Sequence, residues 1–398
     1  MKKFGPGLLV TAAFIGPGSI ATASAAGANT GFVLLWALLF SLVATMVLQE
    51  MAARLGLVSG DGLSQALRTT FRNPLISRTA VILVVSAIGV GNAAYEAGNI
   101  SGAALGLQTL LPLSASASAL VLGGLAALLL GSGGYKLLEP ILIVLVLIMS
   151  TVFVVTMLMI DLDFGTMLAG MVKPSIPAGS ALTVVALIGT TVVPYNLFLH
   201  ANIVQEKWRG VGTRQAIAES RADTVISIGL GGLITLAVMS TSAVAFFNTG
   251  AAFSASSLAT QLEPVLGKAA NGFFAFGLMA AGLTSAITAP LAAAYAVSGA
   301  MGWPTDFSDK RFTAIWVLVL VVGTVFAALG TKPIAAILFA QAANGVLLPV
   351  TAIFLIIIMN RADLLGDYRN RLLSNLLAVA VVAVVTGLGL WNIVRLFV

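Results

Sequence analysis

Cysteine is absent from the 398 residues, and histidine occurs once, as His200. Disulfides, thiolate metal sites and thiol nucleophiles are thereby excluded, as is a zinc site built on several histidines. Charge is scarce too. Asp, Glu, Lys and Arg make up 9% of the chain, where a soluble domain carries about 25%. So few charges cannot cover a watery surface, and a soluble enzyme is ruled out. There is no phosphate-loop lysine, no nucleophile–base pair and no H-E-x-x-H pattern, which speaks against nucleotide hydrolysis and intramembrane catalysis. Runs such as Gly229-Leu230-Gly231-Gly232 read as helix-packing surfaces.

What remains is apolar: 59% of residues are hydrophobic and the mean hydropathy is +1.06. The chain reads as an all-α integral membrane protein. A helix needs about 20 apolar residues to cross the hydrocarbon layer. Eleven spans meet that measure, at 7–28, 32–53, 79–110, 116–132, 138–160, 181–204, 222–247, 270–300, 312–330, 333–359 and 374–397. They form a single transmembrane domain over residues 1–398, connected by short polar stretches such as Arg54–Arg78, Glu206–Arg221 and Arg361–Arg371. Met1-Lys2-Lys3, an apolar run and Ala21-Thr22-Ala23-Ser24-Ala25-Ala26 imitate a secretory signal peptide. Gly16-Pro17-Gly18 interrupts that run and ten more apolar segments follow it, so it reads as the first span.

The net charge of +6 matches cytoplasmic loops facing anionic lipid and needs no nucleic acid to explain it. With the N-terminus inside, the inner segments hold Lys2, Lys3, Arg54, Arg68, Arg72, Arg78, Lys136, Lys207, Arg209, Arg214, Arg221, Lys310, Arg311, Arg361, Arg369 and Arg371, which is 16 of the 20 basic residues. Lys173, Lys268, Lys332 and Arg395 fall outside. This asymmetry favours a plasma (inner) membrane protein with a cytoplasmic N-terminus.

Two spans are interrupted at mid-membrane. The first contains Ile15-Gly16-Pro17-Gly18-Ser19 and the sixth Thr190-Thr191-Val192-Val193-Pro194-Tyr195-Asn196. Proline removes a backbone donor and glycine lowers helical preference. In lipid such gaps survive only where protein or a wet cavity satisfies the freed groups. Breaks at matching places in two halves point to a transporter binding site. Here they open two sets of five spans, about 7–160 and 181–359, with span eleven left over. Packing kinks are the plainer alternative for either break alone.

Several segments resemble the NRAMP family of metal-ion transporters, itself similar to the five-plus-five inverted-repeat (LeuT-like) amino-acid transporters. Gln49-Glu50-Met51-Ala52-Ala53-Arg54-Leu55-Gly56-Leu57-Val58-Ser59-Gly60 is close to that family's Q-x-L-A-x-R-L-G-x-V-T-G at the end of span two. Gly102-Ala103-Ala104-Leu105-Gly106-Leu107 matches its third span, and Ala281-Gly282-Leu283-Thr284-Ser285-Ala286-Ile287-Thr288-Ala289 its eighth. Gln341 with Leu347-Leu348-Pro349 matches its tenth. The ligand motifs depart from the pattern. The family's D-P-G-N is Gly16-Pro17-Gly18-Ser19 here, and its A-x-x-M-P-H is Thr190-Thr191-Val192-Val193-Pro194-Tyr195. The third-span D-L-A-E is Glu96-Ala97-Gly98-Asn99, one acid having become an amide.

The resemblance implies a substrate site formed by Gly16, Gly18, Ser19, Thr190, Val193, Tyr195, Asn196 and Gln341, with Glu96, Asn99 and His200 on a proton or coupling pathway. A carried metal would lie within the first set, and no resident cofactor is implied. The expected function is a secondary transporter working by alternating access, nominally for a divalent metal cation. Without the Asp, Asn and Met ligands it would not select manganese or iron, which prefer carboxylate, imidazole and thioether donors. Hydrated magnesium is less demanding. The competing reading is a small anion, carboxylate or zwitterion held at bare half-helix N-termini, with proton coupling. An ionisable residue at mid-membrane marks a functional hypothesis, here Glu96. The plainer alternative is a glutamate hydrogen-bonded to Tyr95, Asn92 or Asn99. His200 is equally a packing residue or part of the inner exit path. Glu50, Glu139 and Glu263 read as solvated or paired acids at span ends. A channel fits poorly, because no ring of charges or carbonyls repeats. The partners implied are the bilayer, a small ion or solute, and protons, with no obligate protein partner.

Overall fold

Within a bilayer the backbone can hydrogen-bond only to itself, which leaves helices as the element for every long apolar run. The computed structural model describes residues 15–71, 73–330 and 332–394, and among these there is helix and no β-strand. The described part of the first span is Pro17–Thr30. Its expected beginning at 7–14 lies outside the described residues. The following spans are Leu35–Ser59, Pro74–Leu110, Ala115–Ser132 and Tyr135–Met159. The sixth is split into Ala181–Thr191 and Pro194–Lys207. Then come Thr213–Phe246, Ala270–Met301, Lys310–Leu329, Pro333–Met359 and Leu372–Val394. Apart from the first, each expected span is met by a helix long and apolar enough to cross a membrane, ten in all among the described residues. The protein is a multi-pass integral membrane protein. The expected ends of span eleven, at 395–397, lie outside the described residues.

The third span starts at Pro74, five residues before its expected beginning, behind the capping side chain of Asn73, and two further boundaries differ for a shared electrostatic reason. The second span was expected to stop before Arg54, yet its helix continues to Ser59 and ends at Gly60, whose φ of 69° is the left-handed cap that glycine adopts readily. Arg54 does not end it because Glu50, one turn earlier, neutralises its guanidinium. The seventh span likewise starts at Thr213, well before residue 222, because its first turns carry their charges at the water boundary. Short helices inside connections, Leu63–Thr70 and Phe164–Val172, add to the expected set. Asp163 caps the latter, accepting from the amides of Gly165 at 3.0 Å and Thr166 at 3.1 Å. Hydrogen bonds from Thr166, its hydroxyl first, hold that carboxyl below the ordinary aspartate range.

The bundle has an inside and an outside. The third span packs against the eighth, tenth, ninth and fourth, and the first packs against the seventh, tenth and sixth. The described part of the first span is buried almost throughout, and the sixth is buried on both sides of its break. By contrast, Leu145, Ile148, Leu158, Leu318, Val321, Leu376 and Leu390 on the outer helices are exposed. Lipid is their natural solvent, so this exposure carries no hydrophobic penalty. Contacts between connections also sort by end. Ser64 donates to the Ala296 carbonyl and Arg361 to that of Thr69, all at the end assigned to the cytoplasm. Trp36 donates to the Ser175 carbonyl and Ser116 to that of Ala328 at the other. This is the alternation an eleven-span count requires.

Glycine lets the central helices approach to backbone contact. A methyl on Gly27 would overlap the Met239 carbonyl, one on Gly56 that of Ala201, one on Gly106 that of Ala275, and one on Gly189 that of Gln341. These pairs join spans one to seven, two to six, three to eight and six to ten. Neither backbone can rotate away, so Gly189→Ala should cost about 1–3 kcal/mol or more. Gly124, with no heavy atom within 4 Å of its would-be methyl, provides the control. In detergent, Gly189→Ala should lower the apparent melting temperature while Gly124→Ala leaves it unchanged or raises it. Equal behaviour of the two would refute the close-approach reading.

Candidate functional site

At the first break, Gly16 is extended (φ −106°, ψ −177°) and no side chain caps the half-helix that follows. Pro17 occupies its first position, where the missing N–H costs nothing. The donors of the first turn therefore face the gap. At the second break the helix stops at Thr191 and restarts at Pro194. Val192 (ψ 77°) and Val193 (ψ 121°) carry the chain across in non-helical conformations. Here the carbonyl end of one half-helix and the amide end of the next lie side by side, opposite partial charges on two sides of one gap.

The two breaks touch. Ser19 Oγ and Thr190 Oγ1 are 2.8 Å apart and buried, a hydrogen bond between residues 171 positions distant in sequence. Gln341 joins both. Its carboxamide lies where a methyl on Gly18 would be, and its backbone carbonyl sits against Gly189. Tyr195 stacks edge to face on Tyr95, with ring centroids 5.8 Å apart. The Tyr95 hydroxyl lies 3.9 Å from the position of a methyl on Gly16, and Ser285 Oγ 2.8 Å from it. Of the residues singled out in the sequence, Gly16, Gly18, Ser19, Thr190, Tyr195 and Gln341 are thus linked across the breaks. Val193 and Asn196 are fully buried in the second break or its first turn.

The polar accounting there is incomplete. Both amide atoms of Asn196 and both of Gln341 are buried with no hydrogen-bond partner among the described residues. Buried carboxamides are ordinarily satisfied, and leaving one unsatisfied costs about 1–3 kcal/mol per group. Four such atoms lie around the two helix breaks. Among the described residues, no group of three or more His, Asp or Glu side chains could hold a metal ion.

The three residues expected on a coupling pathway make no hydrogen bond to Ser19, Thr190 or Gln341 among the described residues. Glu96 is fully buried; Oε2 accepts from Asn99 Nδ2 at 3.2 Å and Oε1 has no partner among the described residues. One residue along a helix turns the side chain by about 100°. So while Tyr95 faces the first break, the Glu96 stem lies against Gly323 of the ninth span. Asn92 is not its partner: that amide donates to the Ile88 carbonyl of its own helix at 2.9 Å. His200 Nδ1 is 2.9 Å from Gln49 Oε1 of the second span, and its Nε2 is buried without a partner. Glu50 pairs with Arg54 and Arg221, and Glu263 is exposed. Glu139 is among the residues whose side chains are not described.

Sequence reasoning passed over Ser285 and Tyr95 as neighbours of the first break. Ser285 was visible only as part of a similar eighth-span segment, and nothing in its own surroundings marks it. Tyr95 had a signal, since it sits three residues before Gly98, whose missing side chain admits Ala340 and Gln341 of the tenth span.

Two interrupted helices meeting inside an otherwise continuous bundle define the broken-helix, five-plus-five inverted-repeat class of membrane proteins. The sequence pattern of the Natural resistance-associated macrophage protein-like family matches residues 7–395, and the chain belongs to this Nramp family. It is 29% identical to the divalent metal cation transporter MntH of Klebsiella pneumoniae subsp. pneumoniae, covering 99% of this chain and 94% of that protein. To the MntH of Acidiphilium cryptum it is 27% identical, over 99% of this chain and 90% of the other. The manganese transporter of Eremococcus coleocola superposes with a TM-score of 0.77 at 20% identity, over 98% of this chain and 85% of that one. Mhp1, a nucleobase-cation-symport-1 family transporter, shares the fold more distantly, at a TM-score of 0.58 and 15% identity over 97% and 91% of the two chains.

The Ser19–Thr190 contact should be energetic as well as geometric. In a double-mutant cycle of Ser19→Ala and Thr190→Val, thermal unfolding should reveal a coupling of about 0.5–1.5 kcal/mol. Strict additivity would show that the two hydroxyls do not hold the breaks together.

Proposed function

We propose that this chain is a secondary transporter working by alternating access, and that its solute passes between the two breaks at the Ser19–Thr190–Gln341 junction. Repeat one (about 7–160) and repeat two (about 181–359) would move against each other around it, with the last helix added outside. The observation that carries this reading is the set of unsatisfied carboxamide atoms of Asn196 and Gln341, buried where the breaks meet. A dry packing kink has no use for them, whereas a solute that comes and goes does.

The cargo we assign is a divalent metal cation, the substrate named for the MntH relatives. The donors available at the junction are hydroxyl, carboxamide and carbonyl oxygens, all hard and all neutral. The carbonyl end of Ala181–Thr191 adds partial negative charge on one side. With no carboxylate, imidazole or thioether there, the site offers nothing that favours manganese or iron(II) over magnesium. Magnesium gives up its water reluctantly and is commonly bound with several waters in place, which suits an uncharged cage. Glu96, with a carboxylate oxygen unpartnered in the core of the third span, is the group we assign to carry a coupled proton, beside Asn99. His200 lies between the sixth and second spans on the way to the end that the basic residues assign to the cytoplasm, where the N-terminus also belongs.

One feature favours a second reading. The half-helix starting at Pro17 has no side-chain cap and no acid in its first turn, and the carboxamide nitrogens nearby are donors. A small carboxylate, anion or zwitterion would complete the same atoms with opposite polarity.

Uptake into proteoliposomes loaded with a metal-sensitive dye separates the readings. Saturable magnesium uptake, with manganese carried no better, is the expected result. Strong selectivity for manganese would overturn the ligand argument. Silence for both metals from folded protein would transfer the assignment to carboxylates, tested next by radiolabel counterflow. A Cβ at position 16 would meet the rotatable Ser285 hydroxyl first, and Gly16→Asp should tighten divalent binding about tenfold, or ~1.4 kcal/mol. No gain would show that the gap is not shaped for a cation.

For Glu96, replacement by Gln should flatten the pH dependence of uptake without unfolding the protein, since glutamine keeps the shape and the Asn99 hydrogen bond. An unchanged pH profile would remove Glu96 from any proton route.

A further inference from the structure

Far from the breaks, five arginines meet at the bundle end that the basic residues assign to the cytoplasm. Arg54, Arg214, Arg221, Arg369 and Arg371 line a cavity of about 570 Å³, together with Asp367. They come from three separate parts of the chain: the end of span two, the start of span seven and the connection into span eleven.

The floor of this cavity is built, not accidental. Arg54 is 5% exposed, and its guanidinium is fully engaged. Its Nε and Nη2 each reach a Glu50 carboxylate oxygen at 3.0 Å, and Nη2 also donates to Asn370 Oδ1 at 2.9 Å. Nη1 donates to the Tyr368 carbonyl. Asn370 is itself fixed, since its amide N–H donates to the Met359 carbonyl at 2.8 Å and its side chain to Asn375 Oδ1 at 2.8 Å. Arg221 adds a second guanidinium to Glu50 at 2.8 Å. The connection carrying Arg369 and Arg371 is thereby pinned over the second span.

The walls are not neutralised. The side chains of Arg214, Arg369 and Arg371 make no hydrogen bond or ion pair with any described residue, and neither does that of Asp367. Counted with Glu50 below, five guanidinium groups meet two carboxylates, a surplus of three positive charges. Ser374, in the first turn of the 23-residue helix Leu372–Val394, also lines the cavity, so the positive end of that helix borders it. Charge of one sign held at this density is unfavourable on its own and is relieved by an anion. Guanidinium forks match the oxygen geometry of phosphate better than that of a spherical ion.

We propose that this cavity is a binding site for a phosphoryl anion, taken up by Arg214, Arg369 and Arg371 with the first turn of the last helix. The phosphoryl group comes either from an anionic phospholipid, since the cavity stands at the start of the apolar helix Leu372–Trp391, or from free phosphate in solution. Basic pockets between transmembrane helices at a membrane surface are suited to such headgroups. The assignment does not depend on which solute crosses between the breaks.

The test uses the full chain, purified and delipidated in neutral detergent. Inorganic phosphate is titrated at constant ionic strength and followed by thermal shift. Separately, retention of phosphatidylglycerol against phosphatidylcholine is counted by native mass spectrometry. The variant R214Q/R369Q/R371Q removes the unpaired walls and keeps Arg54, Arg221 and Glu50, so the floor stays intact. A matched control, R78Q/R209Q/K310Q, removes equal charge elsewhere on the same face. Wild type and control should bind phosphatidylglycerol in preference to phosphatidylcholine, and the pocket variant on the order of tenfold more weakly. A phosphate response alongside this, lost in the same variant, identifies free phosphate as a second source. A phosphate response alone, lost in the same variant, supports the site with the solution source. The proposal fails if wild type prefers neither ligand, if the pocket variant binds as wild type does, or if the control loses binding equally.

Discussion

An interrupted helix in a bilayer exposes backbone donors and acceptors to a solvent that can satisfy none of them. This chain contains such interruptions in its first and sixth spans, and the rest of the bundle is arranged so that no lipid reaches either. Around them the third, eighth and tenth spans close to backbone contact through glycine. The apolar side chains that would be a liability in water are turned outward on the peripheral helices. The price of keeping two gaps is met by enclosing them, and the enclosure is what makes a site.

Inside the enclosure, charge is missing. The junction between the breaks holds hydroxyls, carboxamides and backbone ends, while the buried carboxylate at Glu96 is hydrogen-bonded to Asn99 of its own helix. The ionised groups gather at the membrane boundary, above all around Glu50. Polar groups are thus divided by depth: neutral ones in the middle, charged ones at the end. A neutral cage discriminates by size and hydration more than by charge, which connects the missing acid at position 16 with the low selectivity assigned to the transported ion.

Much of this could be read from the residues alone. The spans follow from apolar length, and the breaks from Gly16-Pro17-Gly18 and Pro194, because both signals are local. Helix ends near Arg54 and Arg214 were legible only in part, since whether a charge stops a helix depends on its partner one turn away or on the depth of the turn. What could not be read was mutual position. That Gln341 faces Gly18 with its side chain and Gly189 with its backbone is a property of three helices at once. So is the arginine cavity, whose lining is drawn from three segments far apart in the chain, around Arg54, Arg214–Arg221 and Asp367–Ser374, each an ordinary basic stretch by itself.

The double placement of Gln341 has a consequence for how this protein can change over time. Its carboxamide fills the space left by one glycine and its carbonyl the space left by another, so the three positions behave as one unit of inheritance. A larger residue at Gly18 would require a shorter one at 341, and the backbone contact at Gly189 permits no compensating shift of the tenth span. Variation at this junction is therefore channelled. Side chains outside this frame can change one at a time, but the frame that brings the two gaps together is kept whole or lost.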